Sequence, residues 1–202
     1  MPNTNDDIIL YYDSKYSTKN ITVKKYNDLI SNNNNKEELA DFVYNRLYSR
    51  YIKPFEFSDE TYKNEYKNGF SMMASFCLLI ETLQSFKEGL GDSKNISGSL
   101  IKIFFYETKF FPEFKNQGKE IYENIRCGIL HQGETTRGWK ITRVPSVSSS
   151  FSKKTINANE FMNNLKKSLT EYKKELISED WDSTIWQKFR TKMEKIIENT
   201  KG

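Results

Sequence analysis

Apolar side chains recur at spacings of three and four along most of this chain, and the phase of that recurrence predicts its elements. The clearest run predicts a helix over about Thr61 to Leu90. Phe76, Leu79, Leu83, Phe86 and Leu90 form one row on it, and Phe70, Met73, Cys77 and Ile80 a second. Two adjacent rows make an apolar arc too wide for a surface helix, so this element is expected at the centre of a bundle, closed by Gly89, Gly91 and Asp92. Before it, Leu39, Phe42, Val43 and Leu47 share a face of a helix ending at Pro54, with Asn35 and Glu38 spaced as a capping box. After it, Ile101, Phe104 and Phe105 predict a helix from about Gly98 to Phe111, punctuated by Pro112, and another follows from Asn116 to His131. Asn157 and Glu160 open a helix with Met162, Leu165, Leu169, Tyr172 and Leu176 in its apolar row. A last one starts near Ser183 and carries Trp186, Phe189, Met193 and Ile196.

Two stretches lack that period. Residues 1–34 read as an irregular or partly extended arm, with short strands at Ile8–Tyr12 and Ile21–Val23 and a loop at Ser31–Asn35. Thr135 to Lys154 contains Gly138, Pro145 and a serine run and reads as a loop, in which alternation from Trp139 to Val144 suggests a short strand. No internal repeat is visible. The fold class expected is all-α, an antiparallel helical bundle, with an irregular arm at 1–34, a helical domain at 35–202 and a short loop or hairpin after the helix that ends at His131.

Composition narrows the functional classes. With 202 residues, 37% hydrophobic and 14% aromatic, the chain has enough apolar mass to bury a core despite a polar average. Its net charge of +4 is compatible with a nucleic-acid partner without establishing one. Two cysteines make no disulfide framework, and Cys77 lies in an apolar run where a buried thiol is the plain expectation. One histidine and two distant cysteines do not assemble a zinc site by the usual spacings, so neither metal nor cofactor is expected. The polar, acidic start is unlike a signal peptide, and no apolar run approaches the ~20 residues of a bilayer span, which points to the cytoplasm and away from membranes.

The remaining chemistry centres on His131, the one histidine, five residues after Arg126 in the run Asn124-Ile125-Arg126-Cys127-Gly128-Ile129-Leu130-His131-Gln132-Gly133-Glu134. Histidine exchanges a proton near neutral pH, and arginine offers a fixed planar charge suited to phosphate oxygens. On spacing alone the pair is weak evidence, and the plain alternative is a polar histidine near a helix end with Arg126 paired to Glu123 or Glu134.

The run resembles the R-x4-6-H motif of the HEPN family, with Arg126 and His131 at the motif positions and the resemblance covering roughly residues 36 to 200. The position after the arginine, often Asn, Asp or His in catalytic members, is Cys127. The resemblance implies an all-helical bundle that dimerises, and a metal-independent ribonuclease of the toxin or phage-defence kind. The partners it implies are RNA, a second copy of the chain, and a neutralising antitoxin or other defence protein.

Geometry adds a constraint. Five residues turn an ideal helix through about 140° beyond a full turn, so Arg126 and His131 do not share a face. Either the helix loosens, for which Gly128 and Gly133 offer places, or two copies of the motif meet across a two-fold axis. Two symmetry-related histidines can divide the work of base and acid in transfer of phosphorus to a 2′-OH, with Arg126 facing the charge that develops. The loop after the motif supplies five basic residues from Arg137 to Lys154 and no acidic ones. Within it Arg137, Lys140, Arg143 and Trp139 are the candidate RNA contacts, cations for phosphates and an aromatic face for a base. Glu81, on the central helix, is a candidate brace for Arg126. The other function classes open to this sequence are RNA or nucleotide binding without cleavage, and a protein-interaction bundle.

Overall fold

The computed structural model describes residues 5–13, 19–32, 35–56, 68–92 and 95–200. Most of these are helical. In chain order the elements are β1 (Ile9–Tyr11), β2 (Ile21–Thr22), α1 (Val23–Ser31), α2 (Lys36–Tyr51), α3 (Gly69–Glu88), α4 (Ser97–Glu107), α5 (Gly118–Ile121), a π turn (Tyr122–Arg126), α6 (Cys127–Gln132), β3 (Lys140–Thr142), β4 (Thr155–Asn157), α7 (Ala158–Ser178) and α8 (Thr184–Asn199). Short 3-10 turns lie at Asn5–Asp7, Lys53–Phe55 and Pro112–Phe114. The part of the second predicted helix before Asn68 lies outside the described residues.

The chain resolves into two compact units. One comprises residues 1–50, 86–92 and 169–202, the other residues 51–85 and 93–168.

In the first unit, the expected irregular arm contains α1. Thr22 caps it, its Oγ1 accepting from the Lys25 N–H at 3.2 Å, and Val23, Tyr26 and Leu29 are buried at a spacing of three. That spacing was present in the sequence, but the strand-like Ile21–Val23 masked it. Antiparallel pairing of β1 with β2 bears out the two short strands, with Val23 passing into the helix. Arg46 is buried, and its guanidinium donates to the Leu10 carbonyl, which ties α2 to β1. Glu38 pairs with Lys25 at 2.8 Å instead of completing a capping box. The core of this unit is aromatic: Tyr26 meets Phe42 and Phe189, Phe86 meets Tyr172 and Phe189, and Trp186 crosses Phe189 edge-on at 5.2 Å. The Trp186 indole N–H donates to the Leu176 carbonyl, so burying the ring leaves no polar atom of it unpaired. On α8 the buried residue near the end is Ile197, with Ile196 half-buried.

The second unit is built round α3, whose residues Met72, Met73, Phe76, Cys77, Leu79, Ile80 and Leu83 are all fully buried. By length and mean hydropathy (1.2) this helix is also long and apolar enough to cross a membrane. Because 67% of its apolar stretch is buried inside the protein, its apolarity is that of a core helix. Phe76, Phe105, Phe111, Phe114 and Phe161 form a contiguous cluster, closest between Phe111 and Phe161 at 4.7 Å. Phe161 thus takes the place assigned to Met162, which is half-buried.

The loop after the motif is more ordered than expected, and it is not a hairpin. β3 and β4 pair in parallel, with Ile141 opposite Ile156, and the chain between them folds back through a bridge of Ser150 to Thr155. Buried Asn157 organises it: Nδ2 donates to the carbonyls of Val144 and Val147, and Oδ1 accepts from the N–H groups of Asn159 and Glu160. One side chain therefore holds the loop and caps α7. Glu160 accepts from the Ser149 N–H at 2.8 Å.

Candidate functional site

The motif lies on α5, the π turn and α6, which run as one continuous but irregular helix. Asn124 gives a local reason for the irregularity. Its side-chain amide donates to the Glu120 carbonyl four residues back (3.0 Å) and to the Glu120 carboxylate (2.8 Å), competing for an acceptor that a regular α-turn would use. The main chain widens there, and the Cys127 N–H reaches the Tyr122 carbonyl five residues earlier. Buried Asn124 is held from the other side by Thr136, whose N–H donates to the Asn124 carbonyl (3.0 Å) and whose Oγ1 donates to Oδ1 (2.8 Å). The widened turn is thereby tied to the loop that follows it.

The loosening expected at Gly128 and Gly133 falls at Tyr122–Arg126 instead. Gly128 serves close approach: a Cβ there would lie 2.5 Å from the Glu134 carbonyl oxygen. Gly133 adopts φ +69° and ends the helix in the left-handed conformation, its N–H donating to the Ile129 carbonyl.

Arg126 turns into the second unit. Its Nε donates to Glu81 Oε1 at 2.9 Å, with 17% of the arginine side chain and 6% of the glutamate exposed. Glu81 is thus the partner of Arg126, in place of Glu123 or Glu134. Burial by itself lowers the Arg126 pKa, but the hydrogen bond and charge of Glu81 outweigh it and the net direction is upward. The guanidinium lies 5.8 Å from the centre of the Tyr122 ring. Tyr122 meets Cys127, five positions on, and that hydrogen bond, with burial, raises the pKa of its hydroxyl. Cys77, one turn before Glu81 on α3, is fully buried, and desolvation pushes its thiol up to about 12.

His131 is exposed, in the last turn of α6, beside the exposed Leu130. The structure therefore gives the two motif side chains different surroundings within one chain: the arginine braced and mostly covered, the histidine open to solvent.

The four RNA-contact candidates also divide. Arg137 is exposed, with φ +52° and a loose approach of 3.9 Å to Glu123, and Lys140 is exposed. Arg143 is half-buried, donating to Asn159 (3.3 Å) and to Asn68, and so serves the packing of β3. Trp139 is 4% exposed between Phe114 and Phe151, which removes it as a face for a base.

Tyr122, Asn124 and Thr136 were not legible as site residues, since nothing in the spacing announces a π turn. Among the described residues, no three His, Cys, Asp or Glu side chains are grouped as metal ligands. Chemically, the arrangement offers a positioned cation for an anionic oxygen and, further along the same irregular helix, a solvent-exposed imidazole. No family model, characterised protein or solved structure matches the chain. Fold and site together define a mostly helical protein with a braced arginine and an exposed histidine on one irregular helix.

Proposed function

We propose that this protein is a metal-independent endoribonuclease of the HEPN kind, acting in the cytoplasm as a toxin or phage-defence effector, with Arg126 and His131 as its catalytic residues. The observation that carries the reading is the way Glu81 holds Arg126. The carboxylate engages Nε, and the two Nη groups make no hydrogen bond to another described residue. A guanidinium held at Nε, with its Nη donors not spent on the protein's described residues, is prepared to receive phosphate oxygens without first paying for its own ordering.

In this reaction one His131 takes the 2′-OH proton as O2′ bonds to phosphorus. The P–O5′ bond breaks, and His131 of a second copy gives a proton to O5′, leaving a 2′,3′-cyclic phosphate and a 5′-hydroxyl. Arg126 faces the added negative charge at phosphorus. Exposed Leu130, four residues after Arg126, and exposed Leu78, three before Glu81, supply apolar surface flanking the pair, as a symmetric contact requires. Arg137 and Lys140, two of the exposed cations of the following loop, contribute affinity for the RNA backbone.

The test is cleavage of end-labelled RNA in excess EDTA by wild type, His131→Ala and Arg126→Lys. Wild type is expected to leave cyclic-phosphate ends and both variants to lose at least a hundredfold in rate. Activity that vanishes in EDTA and returns with magnesium, or cleavage retained by both variants, overturns the proposal. RNA binding by wild type without any cleavage would make the site a binding module.

A further inference from the structure

We propose that Glu81 and Tyr122 are positioning residues for Arg126, together presenting its two Nη groups to a phosphate oxygen. The inference rests on the reading of Arg126 as the phosphate-facing residue and adds how the fold makes it so.

Three observations carry it. Glu81 engages Nε, at 2.9 Å, and among the described residues neither Nη group makes a hydrogen bond. The Arg126 guanidinium lies over the Tyr122 ring, with Cζ 5.8 Å from the ring centre, so the aromatic face bounds the space in which it can turn. The ring is itself seated: at Gly98, at the start of α4, an added Cβ would stand 3.0 Å from a Tyr122 ring carbon. Tyr122 and Arg126 are the first and last residues of the π turn, and the Asn124–Thr136 bonds hold that turn open. A regular α-turn would rotate Arg126 by a further fraction of a turn relative to α5 and break this register. The cluster is therefore a clamp of a carboxylate at Nε and an aromatic ring beside the guanidinium, with neither taken up by a hydrogen bond to Nη.

The test uses a 2′-O-methyl RNA oligonucleotide, which binds but cannot be cleaved, together with side-chain nitrogen NMR of arginine. Wild type is expected to show one slowly exchanging Nε–H signal, absent from Arg126→Gln, that shifts on addition of the oligonucleotide. Glu81→Gln and Tyr122→Leu should each weaken oligonucleotide binding at least fivefold. Tyr122→Phe and Glu81→Asp should recover much of it, and neither Glu81→Gln nor Tyr122→Leu should weaken binding further in the Arg126→Gln background. Wild-type binding by Glu81→Gln and Tyr122→Leu, with binding lost in Arg126→Gln, overturns the inference while leaving Arg126 as the contact. Losses that add to that of Arg126→Gln also overturn it, since they mean a general structural role. Should Glu81→Gln fail to fold, Tyr122→Leu and the wild-type Nε–H signal decide, and absence of the protected signal refutes the clamp. If wild type binds in this Arg126- and Glu81-dependent way but cleaves no RNA, the ribonuclease reading falls and the clamp stands.

Discussion

Arg126 and His131 differ most in what their removal does to the rest of the protein. Glu81 is almost completely covered and its counter-charge is Arg126. Deleting that charge leaves a desolvated carboxylate alone, a loss of roughly 3 kcal/mol, whereas removing both members of such a pair with apolar replacements is often neutral. Urea melts should therefore show Arg126→Met strongly destabilised and Arg126→Met/Glu81→Leu recovering most of the difference. His131 is exposed, and His131→Ala should stay within about 0.5 kcal/mol of wild type. Equal stability of the single and double variants would show that Glu81 tolerates isolation and that the pair is not desolvated. The practical consequence is that Arg126 must be probed with substitutions that keep a charge or a donor, since loss of activity in an unfolded variant says nothing about chemistry.

At the scale of elements, the motif helix and the loop after it behave as one piece. Gly128 admits the returning Glu134 carbonyl at a distance no side chain can share, so Gly128→Ala must push the chain away from the helix. A loss of about 1–3 kcal/mol is expected, with increased exchange of the Thr136 amide, whose acceptor is the Asn124 carbonyl. An unperturbed Thr136 amide in that variant would show that loop and turn are independent. The basic loop itself divides by burial. Arg137→Ala with Lys140→Ala should lower RNA affinity and flatten its salt dependence with little change in the melt, because both side chains are exposed. Arg143→Ala should act mainly on stability, through Asn159 and Asn68. Trp139→Ala should cost about 3–5 kcal/mol as a core deletion. A salt slope unchanged in the Arg137/Lys140 variant removes the loop from RNA binding.

For the molecule as a whole, the proposed chemistry needs two imidazoles, and the chain has one histidine. Sedimentation should show a dimer at micromolar concentration. Mixing His131→Ala with wild type should lower activity per wild-type chain, since each mixed dimer would hold one imidazole. Activity that falls only in proportion to dilution, or an obligate monomer that cleaves RNA normally, would end the composite-site reading. Leu78→Lys and Leu130→Lys, placed at exposed apolar positions flanking the pair, are the substitutions to make such a monomer.

Hydrophobic spacing determined the helical character of the chain, the burial of α3 and the Asn157 opening of α7, because these depend on a period that each segment carries alone. The sequence also marked Arg126 and His131, through the lone histidine and the motif it resembles, and Glu81, as a charge on an apolar helix. It misjudged Trp139, because an aromatic ring suits a core and a nucleic-acid face equally and only its neighbours decide. α1 was legible in the spacing of Val23, Tyr26 and Leu29 but was outweighed by a β-branched start. Tertiary structure alone decided that Glu81 meets Arg126, which lies 45 positions away in sequence. It decided the π turn as well, which arises from a side-chain amide competing with the main chain and from a loop residue satisfying what that competition frees. Pairings of this kind depend on which surfaces the packed helices bring together, and no local pattern of residues encodes them.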